Sequence, residues 1–180
     1  MFAVLPAVML GLCVSSADGA SSGKVTTGRP PDSGSAVNLV DYTDNDGAAS
    51  TVVLTGGIGD FGAAVSVDAN GAVSPDHDGG LELTLSQGSF RLDVVELDRH
   101  VAAVMSTFPP DRTTCSGTVS ATAPTPIVAG SGTGAYRGIK GTFTLTVTIA
   151  EVDARANCGP GSAFLDQIIV TAGSGTVSRA

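Results

Sequence analysis

The sequence has no tryptophan, only two histidines and little positive charge. Nine lysines and arginines stand against seventeen aspartates and glutamates, which gives a formal net charge of -8. Nucleic acids and anionic membrane surfaces attract basic patches, so neither is expected as a partner. Two histidines and the absence of a G-x-S-x-G motif also argue against a Ser-His-Asp hydrolase. The acidic excess is expected to serve solubility.

Good helix formers other than alanine are scarce as well. Glycine, alanine, valine, serine and threonine dominate, and this composition favours an all-β protein. A chain of 180 residues suits one domain with room for a hydrophobic core.

The first seventeen residues carry no charge and are apolar up to Val14. This stretch is too short to span a bilayer as a stable helix, and it predicts a signal peptide over residues 1–17. The positively charged start typical of such signals is absent from it. Leu12 before Cys13 argues against lipid attachment, because that motif takes a small residue there. We therefore expect a secreted or cell-envelope protein, with no stable membrane span after signal removal.

Without the predicted signal, two cysteines remain, Cys115 and Cys158. In an exported chain such a pair predicts a disulfide bond. In the chain-entropy model its closed loop contributes roughly 3–5 kcal/mol of stability. The alternative, a two-cysteine metal site, lacks nearby histidine partners.

Residues 18–50 are rich in serine, glycine, proline and aspartate and predict a flexible linker. A short strand around residues 36–40 is expected at the edge of the folded body. That body, the β-barrel domain, is predicted over residues 51–180.

Alternating apolar residues predict a β-hairpin over residues 81–94. A turn at Gln87-Gly88 would pair six apolar side chains on one face: Leu85 with Phe90, Leu83 with Leu92, and Leu81 with Val94. The other face carries the densest charged cluster, Glu82, Arg91 and Asp93, as weak catalytic candidates. Because burying three charges is costly, we expect this face to lie outside the barrel.

Helical spacing of apolar residues predicts one short helix over residues 96–105, ended by Pro109-Pro110. The remaining segments give seven or eight antiparallel strands, which fits a barrel or a two-sheet sandwich. Four glycines favour the barrel, because bends at barrel corners favour residues without a side chain. They are Gly56, Gly57, Gly117 and Gly141.

Residues 130–141 contain five glycines around Tyr136, and a strand with faultless alternation follows at 142–149. Phosphate-binding loops place their glycines before a helix, so nucleotide binding is not expected. The glycines instead predict a sharp bend against which Tyr136 packs.

The stretch GTGAYRGIKGTF resembles the allene oxide cyclase barrel-like family at each fixed position of its motif: Gly132, Gly134, Tyr136, Gly138, Ile139, Gly141 and Phe143. The segment VLTGGIGDFG looks like the family's first strand. The resemblance covers roughly residues 51–177 and implies an eight-stranded, lipocalin-like barrel, shared with dirigent proteins. The Pro-Gly-Asp loop and the Asn- and Cys-containing segment of the plant cyclases are absent, so no catalytic residue carries over.

Two further groups of side chains are weak candidates. Asp76, His77 and Asp78 offer three metal ligands in a loop, but calcium and zinc sites need four or more. Glu96 and His100 stand four apart on the predicted helix, a spacing more often found in surface hydrogen bonds than in acid–base pairs. No cofactor is expected.

The sequence thus predicts a non-catalytic exported module that binds a small apolar ligand or a partner. The alternative is a cofactor-independent cyclase or isomerase acting on an apolar substrate inside the barrel. An interior filled with side chains would exclude both a carrier and an enzyme of this kind, and an open cavity with converging polar groups would favour the enzyme. Related barrels often form homo-oligomers, and no surface pattern decides this here.

Overall fold

A computed structural model describes residues 34–43, 49–74, 79–159 and 162–179. These residues form one α-helix, α1 (Val95–Met105), two 3-10 turns, Gly134–Tyr136 and Arg155–Asn157, and eight strands. The strands are β1 (Ser35–Thr43), β2 (Ala49–Gly56), β3 (Asp60–Val67), β4 (Gly80–Leu85), β5 (Gly88–Asp93), β6 (Ser116–Pro126), β7 (Ile139–Asp153) and β8 (Phe164–Arg179). The predicted signal peptide, the linker up to residue 33 and the triplet Asp76, His77 and Asp78 lie outside the described residues.

All eight strands belong to one antiparallel sheet with the order β5-β4-β3-β2-β1-β8-β7-β6. The sheet curls into a half-barrel, and the predicted all-β fold with one short helix is confirmed for the described residues. β1 lies between β2 and β8. The sheet therefore begins at Ser35 rather than near residue 51, and β1 is an inner strand rather than an edge strand.

The predicted register of the β4–β5 hairpin is wrong by two residues. Leu83 pairs with Phe90, and the two-residue turn is Ser86-Gln87. A shift of two keeps every side chain on its face, so the apolar face is unchanged. The turn is fixed from outside the hairpin, because the backbone amides of Ser86 and Gln87 both donate to the carboxylate of Asp60.

The glycine-rich segment supplies hydrogen-bond partners to the edge strand β5. Within residues 127–135, the amide of Val128 donates to the carbonyl of Arg91 over 2.8 Å, and the amide of Thr133 donates to Ser89 over 2.8 Å. The segment therefore runs along β5 and narrows the gap between β5 and β6. Because its backbone groups are hydrogen-bonded in this way, the edge strand β5 is also protected from pairing with other chains.

Apolar side chains fill one half of the barrel interior. The largest of those fully buried there are Phe90, Phe143, Leu39, Leu54, Leu83, Leu92 and Leu145. They alternate along their strands with exposed or half-buried residues, as a sheet with one buried face requires. The other half of the interior lies beside α1, whose buried residue is Leu97. The short helix predicted at 96–105 is confirmed, and it positions the cavity described next.

Candidate functional site

A cavity of about 390 Å³ occupies the half of the barrel beside α1. Strands β7 and β8 contribute aliphatic walls, and so does the inner face of the helix. These apolar side chains include Val147, Ile149 and Ile169 from the strands and Leu97, Val101 and Met105 from the helix. Side chains thus fill one half of the barrel interior, and the half beside α1 contains the cavity.

Asp41 places a carboxyl group in this mostly apolar cavity. It lies on β1 directly opposite Thr171 of β8, and both residues line the cavity. Asp41 is only 6% exposed, and its Oδ1 atom has no hydrogen-bond partner among the described residues. Burial raises the pKa of Asp41, and hydrogen bonds from the Ser50 hydroxyl and the Tyr42 amide offset this only in part. The cavity therefore contains an acid with unused hydrogen-bonding capacity.

The charged residues that line the cavity are acidic. Within the described part of the chain they are Asp41 and Asp98, and no lysine, arginine or histidine joins them. Serine, threonine and glutamine supply the remaining polar groups. No side chain among these described lining residues thus carries a positive charge.

A second pair of buried acids, Glu151 and Asp153, ends strand β7. They are 9% and 2% exposed, and Asp153 Oδ1 has no hydrogen-bond partner among the described residues. Burial, together with the hydrogen bond to Asp153 and its charge, raises the pKa of Glu151 to about 7. Glu151 lies opposite Gln167 in the β7–β8 ladder, and Gln167 lines the cavity. With a pKa of about 7, the Glu151 carboxyl takes up a proton close to neutral pH, and it lies near one rim of the cavity.

The predicted disulfide lies beside this acid pair. Cys115 and Cys158 are within bonding distance, with their Cα atoms 5.5 Å apart. The amide of Asp153 donates to the carbonyl of Cys115 over 2.8 Å. The bond therefore holds the start of β6 and the loop after β7 together where the two acids are buried.

The glycine motif forms a structural site at the filled part of the barrel. Tyr136 is 3% exposed, lies edge-on to Phe90 with ring centroids 5.3 Å apart, and donates from its hydroxyl to Asp60 over 2.5 Å. Burial and the neighbouring Asp60 raise the pKa of Tyr136. For Asp60, burial alone would raise the pKa, but the hydrogen bonds it accepts, first among them that of Ser86, outweigh burial and lower it. Tyr136 is buried as an anchor, held by a carboxylate rather than by backbone alone.

The weak catalytic candidates lie away from the cavity. Glu82 and Arg91 pair on the outer face of the β4–β5 hairpin, with Arg91 Nε 3.4 Å from Glu82 Oε2. Asp93 accepts from the amide of Val95 at the start of α1 over 3.2 Å. The alternation of the hairpin predicted this outer position.

Glu96 and His100 form a surface cluster on α1 with Arg99. Glu96 Oε1 lies 3.2 Å from His100 Nε2 and 2.5 Å from Arg99. The described residues contain no group of three or more histidine, cysteine, aspartate or glutamate side chains that could hold a metal ion. They also contain no helix that is both long and apolar enough to cross a membrane.

Sequence reasoning missed Asp41, Glu151 and Asp153, although the sequence carries a signal for each. Asp41 continues the inward alternation of Val37 and Leu39, and Glu151 and Asp153 continue the alternation that ends at Ile149. A polar residue in phase with buried apolar ones is the sign of an interior polar site.

Comparison with known proteins adds nothing to this geometry. No family model, no curated protein and no solved structure matches the chain. The likeness to the allene oxide cyclase barrel-like family stays a prediction.

Proposed function

We propose that this protein is an exported module of the allene oxide cyclase-like barrel type that binds a small apolar ligand inside the barrel. The observation that carries the proposal is the cavity of about 390 Å³ beside α1. Protein interiors contain few voids larger than a water molecule, and small-molecule sites span about 300–1,000 Å³. A mostly aliphatic wall with a few polar groups is typical of such sites.

Export is supported by two features of the chain. The apolar stretch up to Val14 has the length of a signal peptide core, and the paired cysteines fit an oxidising compartment. A secreted or cell-envelope location would place the barrel where it meets small apolar molecules outside the cytoplasm.

Titration with the neutral fluorescent probe N-phenyl-naphthylamine tests ligand binding directly. We expect saturable binding with one probe per chain and a blue-shifted emission, as in an apolar site. Val147→Phe fills the cavity and should weaken binding at least about 10-fold, the effect of losing about 1.4 kcal/mol.

Val53→Phe is the matched control, because Val53 is 45% exposed on the outer face of β2. Its affinity for the probe should equal that of the wild type. Binding that does not saturate, or equal affinity in the Val147→Phe variant, contradicts the proposal.

A second candidate function, a cofactor-independent cyclase or isomerase, is favoured by Asp41 alone. A buried carboxyl with a raised pKa in an apolar cavity has the properties of a general acid or base. Nitrobenzisoxazole, which opens when a base removes its ring proton, reports such reactivity. A rate that disappears in Asp41→Asn would support an enzyme, and a rate equal to that of buffer would contradict it.

A further inference from the structure

We infer that the ligand of the cavity is a cationic amphiphile, whose protonated amine lies against Asp41 and whose apolar body fills the space beside α1. The inference rests on the proposed function and names the class of ligand. It follows from the hydrogen bonding of Asp41, the charges around the cavity and the position of Thr171.

The first argument is the unfilled hydrogen-bonding capacity of Asp41. This side chain is 6% exposed, and Oδ1 has no partner among the described residues. A buried carboxylate oxygen left without a donor is costly, and buried charges in proteins are usually paired. A ligand that brings a charged donor removes this cost and forms a charge-assisted hydrogen bond, which is about twice as strong as a neutral one.

The second argument is the sign of the charges that the ligand would meet. Among the described residues lining the cavity, the charged side chains are Asp41 and Asp98, and none is a lysine, arginine or histidine. A carboxylate headgroup placed against Asp41 would therefore meet a like charge, which disfavours fatty acids. An alcohol headgroup could donate one hydrogen bond, but it would leave the negative charge unbalanced.

The third argument is the surroundings of the headgroup. An ammonium has three N–H donors and no acceptor, so it needs several oxygen acceptors close together. Thr171 stands directly across the β1–β8 ladder from Asp41, and Ser50 and Ser66 line the same cavity. Their hydroxyls can accept the donors that Asp41 does not take. The aliphatic side chains of β7 and α1 remain for the apolar body.

Competition between three chain-matched molecules tests the inference. n-Octylamine, octanol and octanoate share one apolar chain and differ in the headgroup. Each would be titrated against bound N-phenyl-naphthylamine at pH 8, where ordinary carboxyls are ionised and a primary amine is protonated. We expect octylamine to bind about 10-fold or more tightly than octanol, and octanoate to bind most weakly, since a charged hydrogen bond is worth about 1.5–3 kcal/mol.

Variants identify the residue responsible. Asp41→Asn should bring the affinities of octylamine and octanol, each measured by competition with N-phenyl-naphthylamine in the same variant, within about 2-fold of each other. Asp166→Asn removes the same charge from an exposed position of β8 outside the cavity and should keep the full preference. Thr171→Val should reduce the preference several-fold, and it provides the test if the Asp41 variant does not fold.

The outcomes separate this inference from the proposed function. If the neutral probe binds but octylamine has no advantage, or keeps its advantage in Asp41→Asn, the inference is overturned and the apolar site stands. If neither the probe nor octylamine binds, with octylamine measured directly by calorimetry, both are overturned.

Discussion

The hydroxyl of Tyr136 donates a 2.5 Å hydrogen bond to Oδ2 of Asp60, a residue 76 positions earlier in the chain. Asp60 also accepts from the hydroxyl of Ser86 over 2.5 Å and from the amide of Phe61 over 2.8 Å. One carboxylate thus joins the start of β3, the β4–β5 turn and the glycine-rich segment. Three parts of the chain that are distant in sequence depend on it.

The first prediction concerns this hydrogen bond. Tyr136→Phe should lower the free energy of unfolding by about 1–3 kcal/mol, because a buried charged acceptor loses one donor but keeps the others. Urea denaturation measures the change. A cycle with Asp60→Ala should give a coupling energy of at least about 1 kcal/mol between the two residues. Additive effects of the two substitutions would contradict a direct bond.

Asp60 also shows which feature of the hairpin the sequence pattern does not predict. Alternation along residues 81–94 predicted the hairpin and its two faces, because the period of a strand is visible locally. It did not predict the register, because a shift of two residues preserves both faces. What fixes the turn at Ser86-Gln87 is an acceptor 26 positions away from Ser86. No local pattern contains that information.

The second prediction concerns the contact between the glycine segment and β5. Gly134 has φ of +52°, and a Cβ added there would clash with the backbone carbonyl oxygen of Gln87. Gly130 has φ of +78° and open space around the same position. Gly130→Ala should therefore cost about 1–2 kcal/mol for backbone conformation alone. Gly134→Ala should cost clearly more, since it also separates the segment from β5, and equal losses in urea denaturation would contradict this.

The sequence did not predict the cavity, although it predicted that several of the residues lining it share one face of a helix. The helical spacing of Leu97, Val101 and Met105 placed them on one face of a short helix, and that face lines the cavity. How much space remains depends on the curl of the sheet and on where the helix lies across it. The position of Asp41 inside the barrel was not predicted, for a different reason. It stands in a polar stretch that composition alone assigns to a linker, whereas its phase with Val37 and Leu39 places it inside.

The third prediction concerns the disulfide. Its cysteines are 43 residues apart, and in the chain-entropy model a loop of that length stabilises the fold by about 4 kcal/mol. Cys115→Ala with Cys158→Ala should lower the free energy of unfolding by about that amount, measured in a Cys13→Ser background so that no other thiol is present. In the same background with both cysteines retained, thiol labelling of the denatured, non-reduced protein should find none. Two labelled thiols would show that the bond is absent.

The fourth prediction concerns the pH dependence that Glu151 confers. Its pKa is about 7 in the folded protein against an ordinary value of 4.5, so between these values the folded state binds more protons than the unfolded state. The stability that Glu151 contributes is therefore fully present below about pH 4.5 and is lost as the pH rises through 7. Glu151→Gln mimics the protonated carboxyl, because its amide can donate to Asp153 at every pH.

The variant should match the wild type near pH 4.5. At pH 8 its melting temperature should be higher by several degrees, because a rise of the pKa from 4.5 to about 7 corresponds to about 3 kcal/mol, and each 1 kcal/mol shifts the melting temperature of a domain of this size by about 2–4 °C. Asp166→Asn is the control, since Asp166 is exposed on β8 and its removal should leave the pH profile of the melting temperature unchanged. A Glu151→Gln profile parallel to that of the wild type from pH 4 to pH 8 would mean that the pKa of Glu151 is the same in the folded and the unfolded protein. Glu151 would then be ionised at neutral pH, and burial would not raise its pKa.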